Sequence, residues 1–219
     1  AVRAQIAKGA KPIVPPAWCA ARDRSVQMEG FVMGQGRFAL KPGEDNAFRV
    51  SPRFDAATAD LALRLVDSEG MGKDAVADVL SVGLSATDYI GHALGSEGLE
   101  MCIQMAELDR TIGTLLAGLD KRKLDYVMVL TADHGGFDAP ERLDRQAYPT
   151  AARLDRDLTL ASLAAEVTRL TGIKAASGPL LIGDGPIGDI YFSASLSPAD
   201  RTRGVNALAV LLRNHSQVA

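Results

Sequence analysis

The sequence is poor in cysteine and has no long apolar run, no basic block and no leader-like start; each absence narrows what the chain can be. Its two cysteines, Cys19 and Cys102, lie far apart and outside any CxxC motif. They are free to pair in an oxidising compartment or to stay as buried thiols, and spacing does not choose between the two. No apolar stretch approaches the roughly 20 residues of a membrane span. A net charge of −3 without a Lys/Arg-rich block argues against binding a nucleic acid duplex. The chain opens on Ala1, with no methionine and no charged and apolar leader, so a processed or excised piece of a longer protein is expected.

What is present has the makings of a globular core. Of the 219 residues, 47% are hydrophobic and 23% charged, enough for one sizeable domain or two small ones. Residues 1–50 show no sustained helical or strand period and read as an irregular segment, with residues 51–219 as one α/β domain. In Lys11–Pro16 repeated prolines enforce loop or extended chain. Ala21-Arg22-Asp23-Arg24-Ser25 places two cations two positions apart. In an extended segment they point to one side and can grip a phosphate; on a solvated turn they do nothing. Gly30–Gly36 reads as a short strand between glycine-rich flanks.

From Ser51 onward the pattern is regular. Ser51 or Asp55 can cap a helix to about Ser68 that Gly70 ends. Asp78–Leu84 reads as a buried strand. Residues 97 to about 120 repeat apolar side chains every three or four positions, from Met101 and Met105 through Leu108, Ile112, Leu115 and Leu119, which predicts a long helix. Tyr126–Leu130 is a charge-free run and reads as a second buried strand. Helix and strand in alternation predict an α/β fold, a mainly parallel sheet with helices on both faces. The polar stretch Glu141–Arg156, with Pro149, reads as a surface excursion. Asp157 caps a helix to about Leu170, and Leu180–Gly183 and Asp189–Ser193 form a hairpin across the connector 183–188. Ser197-Pro198 starts a last helix to about Arg213. His215, near the end, reads as a solvated histidine.

Chemistry gathers behind the two expected strands. Asp88 and His92 are spaced i, i+4, so one helical turn puts both on one face. Asp133 and His134 follow the second strand directly and supply a hard oxygen and an imidazole nitrogen, a pair suited to zinc. An Asp-His-Gly sequence by itself is also an ordinary capped turn. Two such pairs at one sheet edge can hold two divalent ions about 3.5–4 Å apart, a geometry that serves phosphoryl displacement.

SATDYIGH, the helix ending in LDRTIGTLL, and VMVLTADHGG together resemble the bimetallic core of the alkaline phosphatase superfamily. They are most similar to its bacterial threonine-dependent branch, related to nucleotide pyrophosphatase/phosphodiesterases. The resemblance covers about residues 50–140 and implies an alkaline phosphatase-like core acting on small-molecule phosphate esters. It implies two zinc ions, one replaceable by another divalent cation, with Asp88 and His92 on one ion and Asp133 and His134 on the other. It also implies that Arg22 and Arg24 bind the substrate phosphate, with Arg22 standing where the family has lysine. The family's nucleophilic threonine, an N-terminal aspartate ligand and a C-terminal histidine ligand have no counterpart here. The chain is therefore expected to be the middle of such an enzyme, inactive alone, from the periplasm or secreted. The alternatives are a phosphodiesterase, sulfatase-like or phosphomutase relative, or a non-catalytic α/β domain without bound metal.

Overall fold

Proline opens several of the helices in the computed structural model, which describes residues 2–218 apart from Glu29, Gln35, Pro149, Pro186 and Ile187. Residues 1–151 and 152–219 form two units. The first contains α1 (Val2–Lys8), a 3-10 turn (Ala17–Arg22), β1 (Val26–Gln27), β2 (Val32–Met33), α2 (Asp45–Arg49), α3 (Pro52–Glu69), α4 (Ala86–Leu94), α5 (Leu99–Lys121) and α6 (Pro140–Arg145). Residues 1–50, expected as an irregular segment, lie within this unit.

Helix α3 starts with Pro52 behind an extended Ser51 and stops at Gly70, whose φ of 67° lies in the left-handed region. Neither expected side chain caps it. The Ser51 hydroxyl donates instead to the Phe48 carbonyl at 2.7 Å, and Asp55 turns toward α4. Helix α3 packs along α5. The approach is close enough that a Cβ on Gly118 would lie 2.5 Å from Leu63 Cδ1. Cys19, Phe38, Ala86, Ile90, Leu99, Met101 and Ile103 form one buried core. A disulfide between Cys19 and Cys102 joins the 3-10 turn to α5, so the cysteines pair. The apolar stripe of α5 is only partly the buried one: Met105 is exposed, whereas Glu100 and Gln104 are buried.

The two expected buried strands do not form among the described residues. Neither Asp78–Leu84 nor Tyr126–Leu130 is a strand, and neither makes a backbone–backbone hydrogen bond among the described residues. Val79, Val127 and Val129 are 90%, 92% and 84% exposed. A helix closes its backbone hydrogen bonds within itself, whereas a strand needs a neighbour, and no described segment supplies one. The sheets among the described residues are two antiparallel pairs, β1 with β2 and β3 with β4. They do not make a mainly parallel sheet. Glu141–Arg156 is not wholly a surface excursion either, since α6 buries Arg142.

The second unit holds a 3-10 turn (Arg156–Leu158), α7 (Leu160–Thr171), β3 (Leu181–Gly183), β4 (Ile190–Phe192) and α8 (Pro198–Arg213). Thr159, not Asp157, caps α7, its hydroxyl accepting from Ser162 N at 3.3 Å. The expected hairpin forms, with Leu181 opposite Phe192. The expected cap of α8 forms as well, Ser197 accepting from Asp200 N at 3.1 Å. Leu158, Leu163, Val167, Ile173, Leu180, Leu181, Leu196 and Leu208 make its core. Pro149, Gln35 within the 30–36 strand reading, and the centre of the 183–188 connector lie outside the described residues. No helix among the described residues is long and apolar enough to cross a membrane.

Candidate metal centre

Helix α4 carries the first pair as its spacing predicts. His92 Nε2 lies 3.2 Å from Asp88 Oδ1 across one helical turn. The start of this helix is fixed from outside, because Ser85 makes no side-chain cap. Buried Asp55 of α3 accepts from Ala86 N at 2.9 Å and, through its other oxygen, from the Gln104 amide of α5 at 2.8 Å. The same Gln104 nitrogen donates to Thr87 Oγ1 at 3.1 Å, next to Asp88. Burial pushes the Asp55 carboxyl above its ordinary value, against the Ala86 and Gln104 donors that favour its charged form.

The second pair meets the first. His134 Nε2 lies 3.5 Å from Asp88 Oδ1 and 3.6 Å from Asp133 Oδ2. Asp88 therefore stands between the two imidazoles, and all four residues are open to solvent in part. His134 Nδ1 is 2.8 Å from the Gly135 carbonyl oxygen. A carbonyl only accepts, so Nδ1 carries the hydrogen and Nε2 presents a lone pair to the two carboxylates. A ring lone pair next to two carboxylates is satisfied by a cation, either a proton on Nε2 or a metal ion. The hydrogen bond to Gly135, followed by the charges of Asp133 and Asp88, accordingly raises the His134 pKa above its ordinary value. The imidazole nitrogen and the carboxylate on either side of it are donor types that zinc takes, although the three atoms do not all lie within 4.8 Å of one another, so the residues suit a divalent ion by type and by adjacent pairs.

The arginines lie apart from the four ligands. Arg22 donates to the Glu97 carbonyl at 3.1 Å and faces the Glu97 carboxylate at 3.4 Å, on the loop that leaves α4. Arg24, two residues on, is exposed. Neither contacts Asp88, His92, Asp133 or His134 among the described residues. Sequence reasoning missed Asp55, Gln104 and Glu100. Glu100 Oε1 accepts from Gly34 N and Gly36 N, both at 2.9 Å. No periodicity marks a buried polar residue on an amphipathic helix, so no signal singled them out. The glycines of this turn did carry one: a Cβ on Gly34 would sit 2.2 Å from the Arg24 carbonyl oxygen.

In the second unit Asp155, Asp157 and His215 bring metal-type ligand atoms within 4.8 Å of one another. His215 is not the solvated residue expected, its side chain being 16% exposed. Its Nδ1 accepts from Gln217 N at 3.1 Å, so the ring hydrogen is on Nε2 and points to Asp157 at 3.3 Å. Gln217 also bonds Asp155 N and the Arg153 carbonyl. The group is thus a hydrogen-bonded clip that leaves no ring lone pair for an ion.

Known proteins resemble this chain over most of its length. Residues 7–176 match the family described as type I phosphodiesterase / nucleotide pyrophosphatase. Alkaline phosphatase PhoK of Sphingomonas sp. is 43% identical over 203 residues, which cover 93% of this chain and 36% of the relative. Alkaline phosphatase PhoD of Zymomonas mobilis is 38% identical over 207 residues, 94% of this chain and 36% of the relative. The chain thus spans about a third of the length of these curated relatives. The crystal structure of wild-type alkaline phosphatase PafA superposes with a TM-score of 0.73 at 19% identity, covering 98% of this chain and 42% of that one. The fold is therefore alkaline phosphatase-like.

Proposed function

As this chain belongs to the type I phosphodiesterase / nucleotide pyrophosphatase family of the alkaline phosphatase superfamily, we propose that it provides the metal-binding core of a two-zinc phosphomonoesterase acting on small-molecule phosphate esters. One observation carries this reading: His92, Asp88, His134 and Asp133 converge, with the His134 lone pair aimed at two carboxylates. We assign Asp88 and His92 to one zinc and Asp133 and His134 to the second, one of the two ions being replaceable by another divalent cation. Bound zinc supplies positive charge for a developing phosphoryl oxyanion and makes a hydroxyl nucleophile more acidic. Asp88, between the imidazoles, balances charge shared by both pairs. The Gly135 carbonyl holds the His134 ring in the tautomer a metal needs. Arg22 and Arg24 are assigned to the non-bridging oxygens of the ester, Arg22 being steadied by Glu97.

The phospho-threonine intermediate that the resemblance implies takes its nucleophile from outside residues 1–219, so the chain alone does not turn over phosphate esters. In the longer enzyme Asp78–Leu84 and Tyr126–Leu130 pair as strands of a mainly parallel sheet; their exposed valines support this reading. The Cys19–Cys102 disulfide supports a periplasmic or secreted location. A phosphodiesterase is the second reading, favoured by the family description itself.

The test measures zinc bound per chain for the 219-residue protein and for Asp88→Ala, then hydrolysis of an aryl phosphate and a bis-aryl phosphate. Both substrates are also given to a polypeptide extended at both ends. Two zinc ions in the parent, loss of the Asp88–His92 ion in the variant, and turnover confined to the extended polypeptide are expected. No zinc in the parent overturns the metal assignment. Faster diester than monoester hydrolysis overturns the phosphomonoesterase assignment.

A further inference from the structure

Asp133 and His134 reach Asp88 although the segment leading to them, Tyr126–Leu130, joins no sheet, so something other than a sheet brings them there. Between His134 and Asp138 no residue bonds another element among the described residues, and Phe137 is 97% exposed. The chain is next held at Asp138, whose side chain is 1% exposed. Its Oδ1 accepts from Ser96 N at 2.9 Å and from Glu97 N at 3.3 Å, in the loop that leaves α4. It also accepts from the guanidinium of Arg142, one turn along α6, and Arg142 reaches the Leu94 carbonyl at the end of α4 at 3.5 Å. We propose that Asp138 is the positioning residue that docks the Asp133-His134 segment onto the helix carrying Asp88 and His92.

The loop is built to receive it. A Cβ on Gly95, at φ 80°, would lie 2.3 Å from Asp138 Oδ1, and one on Gly98 would lie 2.6 Å from Arg142 Nη2. Only glycine at these two positions lets the carboxylate and the guanidinium rest on the backbone. The same loop takes Arg22 on Glu97. Four residues, 95–98, thus join the first ligand pair, the anchor of the second and the phosphate-side arginine. The anchor is five residues from Asp133, so releasing it frees Asp133 and His134 from the position that puts His134 3.5 Å from Asp88.

This inference rests on the metal assignment above, and the experiment separates the two. Zinc affinity is measured for the parent, Asp138→Ala, Asp138→Asn and Asp138→Ala/Arg142→Met, the last removing the cation that the alanine strands. In parallel, nitroxides at Asp109→Cys and Phe137→Cys report in the metal-free protein how widely the segment ranges relative to α5. Both alanine variants should bind zinc about 10–100-fold more weakly and show a broadened distance distribution, with helical circular dichroism kept. The asparagine variant keeps an acceptor for Ser96 and Glu97 and should restore a narrow distribution and most of the affinity. A narrow distribution in the alanine variants overturns the proposal, as does a broad one with unchanged zinc affinity. If the parent binds no zinc, the metal assignment fails, and the distance distributions alone decide the role of Asp138.

Discussion

Helices α3, α4 and α5 and the two segments Asp78–Leu84 and Tyr126–Leu130 all carry apolar residues yet end in opposite states. Ala59, Ala62, Val66, Ile90 and Ile103 are buried, while Val79, Val127 and Val129 are exposed. Composition does not separate them. The helices satisfy their own backbone and need only an apolar neighbour, which each provides for the others. The valine-rich segments need a ladder partner before they can bury anything, and none is available among the described residues. The ligands sit where these regions meet. The scaffold therefore fixes Asp88 and His92 directly, whereas the Asp133-His134 segment is next held by a buried side chain at Asp138.

That contrast can be broken by mutation. Ile90→Ala empties a fully buried site on α4 and is expected to cost about 3–4 kcal/mol, read as a lowered urea midpoint. Asp55→Ala strands the Ala86 amide and the Gln104 side chain in the interior; a loss of about 2–3 kcal/mol is expected. A loss under about half a kilocalorie for Asp55→Ala would remove the buried carboxylate from the account of how α4 is held. Val127→Thr with Val129→Thr should stay within about 0.5 kcal/mol while reducing self-association in sedimentation, because no described residue covers either side chain. A large loss from that double variant would show that the segment already has a partner.

A pH series sharpens the same comparison with the smallest effect. Burial raises the Asp55 pKa in the folded state above its unfolded value. Its contribution is therefore complete below the ordinary carboxyl value, about pH 4, and is lost as pH rises through the raised one. Asp55→Asn cannot titrate. Wild type should lose stability relative to Asp55→Asn as pH climbs through this window, in paired denaturation curves. A difference that stays level from acid to neutral pH would show that the carboxyl titrates alike in both states.

Much of the helical scaffold was legible because its signals are local. Gly70 ends α3, and Ser197 and Pro198 start α8. The cap of α7 falls at Thr159, two residues later than expected, because Asp157 lies inside the preceding 3-10 turn. The burial of Glu100, Gln104 and Asp138 was illegible. A polar residue turns inward only when a partner from elsewhere meets it, and here those partners lie 64, 49 and 42 positions away.

By itself the sequence determined that Asp88 and His92 share a helical face and that Asp133 adjoins His134, because i, i+4 and adjacent positions are tied by backbone geometry alone. It likewise determined where α3 and α7 stop, through glycines that take up the left-handed region. Only the tertiary structure decided that Cys19 pairs with Cys102, that His134 faces Asp88, and that Asp138 closes the loop after α4. Each of these joins groups distant in the chain, whose meeting depends on how helices pack and which donors are left over. The fate of Tyr126–Leu130 belongs to the same class: a strand is a property of two segments, and one segment's residues cannot supply the other.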